Sequence, residues 1–186
     1  MNFIVIAVSI LWIGSEIFLA RTKHSQITDT RLDKFSLRIL WVAIAFGVNA
    51  GIILSFQRMG YFGNGFRIFP IAGLTLIVVG LVVRWIAILS LKHQFTVDVS
   101  ITKDHRIVKD GIYRFVRHPA YAGSLLSFFG LALCFANYIT TFVLFVPICS
   151  AFLYRIRVEE KALRGNFGDE YANYCATTKR LIPGIY

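Results

Sequence analysis

Residues 121–156 read YAGSLLSFFGLALCFANYITTFVLFVPICSAFLYRI, and this stretch decides the fold class. It holds two apolar blocks, residues 121–136 and 139–156, with only Asn137 and Tyr138 between them. A membrane-spanning helix needs about 20 apolar residues, so each block is a little short for an untilted crossing. The stretch therefore predicts a tight helical hairpin inside a membrane.

Three further apolar blocks precede the hairpin, at residues 2–20, 36–56 and 68–91. The chain of 186 residues is 56% hydrophobic and 16% charged, with a mean hydropathy of +0.64. Five crossings of about 20 residues each leave no room for a separate soluble domain of typical size. We predict an all-α integral membrane protein with about five transmembrane helices and a small cytoplasmic cap.

The cations predict the orientation of these helices. Of 20 Lys and Arg residues, 17 fall in residues 21–38, in residues 92–117 or in residues 155–180, at and beyond the end of the fifth block. Lys and Arg gather in cytoplasmic loops, so we expect the N-terminus outside and the C-terminus in the cytoplasm. The formal charge of +10 then follows membrane topology, which argues against a nucleic-acid partner.

Apart from Arg38 and Arg155, which lie at block ends and are counted with the cytoplasmic cations, two charged residues fall inside apolar blocks, Glu16 and Arg84. Charges in membrane segments are rare and are functional candidates by default. They either pair with each other or reach the membrane surface, or they line a polar cavity. The sequence leaves both interpretations open.

The segment before the hairpin suggests extended structure. Residues 95–101 alternate apolar and polar side chains, and residues 106–109 and 112–116 flank an Asp110-Gly111 turn. We expect a folded cap at the membrane face.

His118 precedes Pro119 at the start of the fourth block. Proline is favoured at the first position of a helix, so His118 should lie at the helix mouth, with Tyr121 in the first turn. The free N–H groups there suit a ligand carboxylate or phosphate. Anchoring of His118 and Tyr121 among lipid headgroups is the alternative.

Arg155 lies at the end of the fifth block, Glu159 lies four residues later, and Glu160 is next to Glu159. On a continuing helix Arg155 and Glu159 share a face. In one interpretation Arg155 binds a substrate anion while Glu159 or Glu160 accepts hydrogen bonds from a cofactor group. In the other, Arg155 and Glu159 form an ordinary surface ion pair.

Other kinds of site lack support in the sequence. The histidines have no metal-ligand spacing, so we expect no metal site. No Gly-rich phosphate loop or nucleophile elbow occurs. The three cysteines are odd in number and lie in or beside apolar segments, which argues against a disulfide scaffold and for packing roles.

The cytoplasmic half resembles the isoprenylcysteine carboxyl methyltransferase family, which is related to integral membrane phospholipid N-methyltransferases. The matching residues span about 92–186: His105-Arg106-Ile107-Val108, Gly111-Ile112-Tyr113, Arg117-His118-Pro119-Ala120-Tyr121-Ala122-Gly123, Arg155 with Glu159-Glu160, Phe167-Gly168-Asp169-Glu170-Tyr171 and Arg180-Leu181-Ile182-Pro183.

This resemblance implies a site for S-adenosylmethionine (SAM) in the cap, with S-adenosylhomocysteine as the product. It implies that the chain around His105, Ile107 and Val108, with Tyr113, encloses the adenosine. His118 and Tyr121 then hold the methionine end. Glu159 receives a polar cofactor group, and its neighbour Glu160 is a substitute for it. Arg155 and Arg117 face the substrate.

The resemblance also implies a domain organisation and a function. Residues 1–91 are three N-terminal transmembrane helices, and residues 92–186 are the catalytic SAM-binding region with the hairpin 121–156. The substrate is a lipophilic small molecule or lipidated molecule that enters from the bilayer, with membrane lipids as neighbours. We expect carboxyl O-methylation of a prenylcysteine-like amphiphile. Phospholipid-amine N-methylation and a non-catalytic membrane protein on the same scaffold are the alternatives.

Overall fold

A computed structural model describes residues 3–22, 31–56, 60–63, 68–91 and 106–186. Five α-helices follow the apolar blocks: α1 Phe3–Thr22, α2 Arg31–Ser55, α3 Ile68–Leu91, α4 Pro119–Cys134 and α5 Tyr138–Thr177. A 3-10 helix, Gly111–Arg114, precedes α4. The described residues form two isolated β-bridges and no strand. The predicted all-α class is confirmed.

The helices have the length and composition of membrane spans. Lys34–Ser55, Ile68–Leu91 and Tyr138–Thr177 are long and apolar enough to cross a bilayer, while Ile10–Leu19 and Pro119–Cys134 are shorter apolar helices. Large apolar side chains on α1 to α3 are exposed, as lipid-facing residues are; they include Leu11, Trp41, Phe46, Ile53 and Ile71. The protein is therefore a multi-pass membrane protein, and the number of crossings stays a prediction.

Small residues bring α3 and α4 close together. A Cβ added at Gly123 would lie 2.6 Å from the carbonyl oxygen of Gly80, and one added at Gly130 would lie 2.5 Å from that of Gly73. Glycine at such positions lets two backbones meet, which drives helix association in lipid. The extensive contact along α3 and α4 holds α4 in place beside α3.

The turn of the hairpin is built around Asn137, which caps α5 by accepting a hydrogen bond from the Thr140 backbone N–H at 3.1 Å. Residues 60–62 fix the turn from outside, since Phe62 donates to Ala136 O at 3.2 Å and Tyr138 donates to Gly60 O at 2.9 Å. The predicted hairpin is confirmed, but α5 is not short: it runs for 40 residues.

The distal part of α5 and the residues after it form a cap over the start of α4. The helix is interrupted at Gly168, where φ is +48°, a value that favours glycine. After Thr177 the C-terminal segment, residues 178–186, returns to the mouth of α4. There Arg117 N–H donates to Lys179 O at 2.8 Å, and His118 N–H donates to Arg180 O at 3.0 Å.

The expectation of extended structure before α4 was wrong at residues 112–116. Gly111, with φ of +60°, begins a 3-10 helix in which Tyr113 N–H bonds to Asp110 O at 3.1 Å. Only Val116 pairs with another chain segment, in a parallel bridge to Lys179. Burial of the Tyr113 side chain against α3 favours this tight turn over a ribbon. Residues 95–101 lie outside the described part of the chain.

Candidate active site

His118 lies at the mouth of α4, as the sequence predicts. It is the N-cap residue and Pro119 is the first helical residue. The imidazole is 5% exposed, and it stacks on the Tyr121 ring with 5.7 Å between centroids and 17° between planes. Because the His118 backbone N–H already binds Arg180 O, the ring is held from the backbone and from one face.

Glu160 is the centre of a buried charge cluster beneath the C-terminal segment. Its carboxylate accepts hydrogen bonds from Arg180 Nε and Nη2, at 2.8–3.1 Å, and from Arg117 Nε and Nη2, at 3.1–3.2 Å. Arg117 Nη1 also donates to the carbonyls of Cys175 and Thr178. The cluster thus ties α4, α5 and the C-terminal segment together.

The cluster keeps Glu160 ionised. Glu160 lies beyond the apolar block that ends at Ile156. Burial alone would raise the pKa of its carboxyl, but the His118 ring and the guanidinium groups of Arg180 and Arg117 outweigh burial and hold the pKa well below its usual range.

Two buried polar atoms beside this cluster lack a hydrogen-bond partner among the described residues. They are His118 Nε2, 3.4 Å from Glu160 Oε1, and Glu159 Oε2, 3.9 Å from His118 Nδ1. Buried polar atoms are nearly always satisfied, so two such atoms at one place mark a candidate position for a polar ligand group. An imidazole and a carboxylate together suit a group that carries both a negative and a positive charge.

Arg155 lies inside the bundle at 1% exposure. Its Nε donates to Tyr121 Oη at 3.2 Å, and its Nη1 donates to Ser36 Oγ at 2.9 Å. The interpretation of Arg155 as a member of a surface ion pair was therefore wrong. These two contacts place the guanidinium inside the bundle, between α2, α4 and α5.

The expected adenosine-binding residues lie along the 3-10 helix and before it. Tyr113 is buried, donates to Ala87 O at 3.4 Å, and accepts a 2.6 Å bond from Tyr174 Oη at its carbonyl. Val108 packs in the same apolar cluster, and Ile107 is half-buried. His105 lies outside the described residues. Roles for these four in cofactor binding stay predictions.

Glu16 and Arg84 form an ion pair, with Arg84 Nε 2.5 Å from Glu16 Oε1 and Nη2 2.6 Å from Oε2. Arg84 Nη1 also donates to Ala120 O at 3.3 Å. Of the two interpretations left open by the sequence, the geometry favours pairing. The pair joins α1 and α3 to the first turn of α4, next to His118.

The structure brings His118, Tyr121, Arg155, Glu159 and Glu160 into one connected group, with Arg117 at its cap side. Sequence reasoning gave no role to two residues that contact this group, Ser36 on α2 and Arg180 in the C-terminal segment. Arg180 lies in a motif of the resemblance and Ser36 offered only its polarity, because each contact joins parts of the chain that are far apart in sequence.

Comparison with known proteins extends this picture. The family model for the isoprenylcysteine carboxyl methyltransferase family matches residues 73–165. A probable protein-S-isoprenylcysteine O-methyltransferase of Oryza sativa subsp. indica is 27% identical over 183 residues, which cover 96% of this chain and 94% of the rice protein. Protein-S-isoprenylcysteine O-methyltransferase B of Arabidopsis thaliana is 32% identical over 115 residues, or 61% of this chain and 58% of that protein.

A solved structure of the eukaryotic intramembrane Ras methyltransferase ICMT has the same fold. It superposes with a TM-score of 0.65 at 22% sequence identity, over 97% of this chain and 65% of that chain. The present chain thus spans about two thirds of that protein. Since the family model covers half of the 186 residues, this chain belongs to the isoprenylcysteine carboxyl methyltransferase family.

Proposed function

We propose that this protein is an integral membrane methyltransferase that uses SAM to methylate the carboxylate of a prenylated cysteine at the end of a protein or peptide. One observation carries the proposal: the Arg155 guanidinium is buried in the helical bundle, about one helical turn nearer the apolar block of α5 than Glu159. A lipid-attached carboxylate can reach the cation from the bilayer while a water-soluble cofactor enters from the cap. Family membership supports the reaction type.

The polar atoms under the cap fit SAM. Its methionine end carries an ammonium and a carboxylate, and the unsatisfied Glu159 Oε2 and His118 Nε2 are complementary to those two charges. In the proposal His118, Tyr121 and Glu159 hold the methionine end, and Ile107, Val108, Tyr113 and His105 surround the adenosine. SAM, when bound, supplies an electrophilic methyl group.

Glu160 and Arg117 receive a different task from the one that the resemblance implies. Each is saturated by the charge cluster, so we infer that both hold the C-terminal segment over the cofactor rather than touch cofactor or substrate.

Arg155 binds and orients the substrate carboxylate in this proposal. A carboxylate is already ionised at neutral pH, so no residue has to remove a proton from it. The contribution of the protein is then positioning and exclusion of water, which are large effects when two reacting groups are held in line. Tyr121 serves both halves of the site, because its ring stacks on His118 while its hydroxyl accepts from Arg155.

The site faces the cytoplasm in this proposal, with the N-terminus outside. The support is the distribution of cations, 17 of which lie on the side of the cap. Residues 92–186 form the catalytic region, and residues 1–91 supply the membrane-spanning helices that flank it.

The test is transfer of a radiolabelled methyl group from SAM to N-acetyl-S-farnesylcysteine by the purified protein in detergent. We expect an alkali-labile methyl ester. Arg155→Ala should abolish turnover, whereas Arg157→Ala, a matched change at an exposed arginine on the same helix, should not. An alkali-stable methylamine formed on phosphatidylethanolamine would replace the proposal with N-methylation, and no transfer to either acceptor by folded protein would refute it.

A further inference from the structure

Arg84 on α3 joins three helices beneath the cap. Its Nη1 donates to the carbonyl oxygen of Ala120 in the first turn of α4 at 3.3 Å, and its Nη2 donates to Glu16 of α1 at 2.6 Å. We propose that Arg84 is a positioning residue that fixes the first turn of α4, and with it the His118 and Tyr121 side chains, for the methionine end of the cofactor. This inference rests on the proposed cofactor site.

The packing of α3 against α4 sets the contact between Arg84 and Ala120. The two helices run antiparallel, and their contacts recur at intervals of about one turn toward the cap: Gly73 with Gly130, Ile77 with Ser127, and Gly80 with Gly123. Arg84 and Ala120 are the next pair in this series. An added Cβ at Gly123 would lie 2.7 Å from the Arg84 backbone nitrogen, so the two backbones meet within one turn of the Ala120 carbonyl. Backbone packing therefore places Arg84 within reach of Ala120.

The bond to Ala120 acts on the part of α4 that forms the site. Ala120 lies between His118, the N-cap residue, and Tyr121, whose ring stacks on the His118 ring. Ala120 also packs with Tyr113 of the 3-10 helix and Ala87 of α3 in one buried apolar cluster. A guanidinium donor forms a charge-assisted hydrogen bond, which is stronger than a neutral one. This bond ties the first turn of α4 sideways to α3, which the hydrogen bonds within α4 do not do.

Glu16 lets a cation occupy this buried position. Arg84 is 9% exposed, and an unpaired charge in a membrane segment is costly. On α1, Glu16 lies about one turn from both Trp12 and Leu19, whose side chains are each 2% exposed. Docking of this face on the bundle aims the Glu16 carboxylate at Arg84. The carboxylate therefore neutralises the guanidinium through Nε and Nη2, while Nη1 stays directed at Ala120.

A purely structural role for Arg84 makes a different prediction. If its contacts only fasten α1, α3 and α4 together, their loss should lower thermal stability and weaken all ligands of the site alike. If they position the first turn of α4, their loss should weaken ligands that carry the amino-acid end of the cofactor and spare ligands that lack it. The ratio of the two affinities distinguishes positioning from fastening.

The experiment measures binding of S-adenosylhomocysteine and of methylthioadenosine to the full chain in detergent by calorimetric titration. Methylthioadenosine has the adenosine and the sulfur but lacks the amino-acid end. Wild-type protein should prefer S-adenosylhomocysteine, and Arg84→Met should reduce that preference about tenfold, as expected for loss of one hydrogen bond to a charged group. Arg84→Lys keeps the charge beside Glu16 but lacks the separate Nη1 donor, so it should reduce the preference in the same direction if Arg84→Met does not fold.

Ser127→Ala is the matched control. Ser127 is fully buried, and its hydroxyl donates to Ile77 O at 3.2 Å between the same two helices. This change should keep the wild-type preference, because it removes a bond about two turns away from Ala120. Full preference in a folded Arg84 variant, or an equal loss of affinity for both ligands, would overturn the inference and leave the proposed function standing. Wild-type protein that binds neither ligand, or that has no preference between them, would overturn both the inference and the proposed cofactor site.

Discussion

Glu160→Gln should release the C-terminal segment from the mouth of α4. Glu160 is 3% exposed and binds two guanidinium groups, so the change leaves two positive charges without their counter-charge. Removing one partner of a buried ion pair costs about 3–5 kcal/mol. The Arg180 side chain is 30% exposed and can turn to water, whereas that of Arg117 is 8% exposed and cannot. We therefore expect the lower end, about 3 kcal/mol, or about a hundredfold in the opening equilibrium.

Hydrogen exchange of the backbone amides measures this opening directly. The amides of Arg117 and His118 bond to the C-terminal segment, so both should exchange about a hundredfold faster in Glu160→Gln. SAM affinity, measured by calorimetric titration, should fall as well, because the closed form is the one that we propose to bind cofactor. Amides in the middle of α3 should not change.

Glu170→Gln is the control for loss of one negative charge in the cap. Glu170 pairs with Lys109 at 2.7 Å, but both side chains are about half exposed, and exposed pairs contribute little. It should leave exchange and SAM affinity unchanged. Exchange in Glu160→Gln at the wild-type rate would refute the view that the buried charge cluster holds the cap closed.

Three further predictions follow from the same geometry. Glu159→Ala should weaken SAM binding, measured by calorimetry. Arg155→Ala should impair turnover far more than SAM binding. Equal effects of the two changes on SAM affinity would contradict this division of roles. Gly123→Ala should lower the midpoint of thermal unfolding by an amount equivalent to about 1–3 kcal/mol, since a Cβ there meets the backbone of α3, whereas Gly165→Ala, with open space around it, should not. The pKa of Glu160 is lowered in the folded protein, so ionised Glu160 stabilises the closed cap fully above the ordinary carboxyl pKa of about 4.3. This stabilisation is lost as the pH falls below that value, and hydrogen exchange of the cap amides should accelerate in acid. Glu160→Gln should show no such pH dependence.

The helices and the residues at the start of α4 could be predicted from the sequence. The predicted third block and α3 have the same bounds, residues 68–91, and Pro119 begins α4 with His118 as its cap. These features are local: an apolar run in lipid must satisfy its backbone internally, and proline fixes its own backbone angle. The resemblance motifs likewise identified the side chains that converge on the site, because each motif is a short continuous stretch.

The contacts of those side chains could not be predicted without the packing of the helices. Arg155 could equally have paired at a surface, and only the packing of α2 against α5 turns it inward onto Ser36. The residues alone did not separate the roles of Glu159 and Glu160. In the structure Arg180 of the C-terminal segment saturates the Glu160 carboxylate, whereas Glu159 Oε2 has no hydrogen-bond partner among the described residues. The sequence around a charged residue does not show which distant residue it will contact. Its role depends on the partner that the packed helices bring within hydrogen-bond distance.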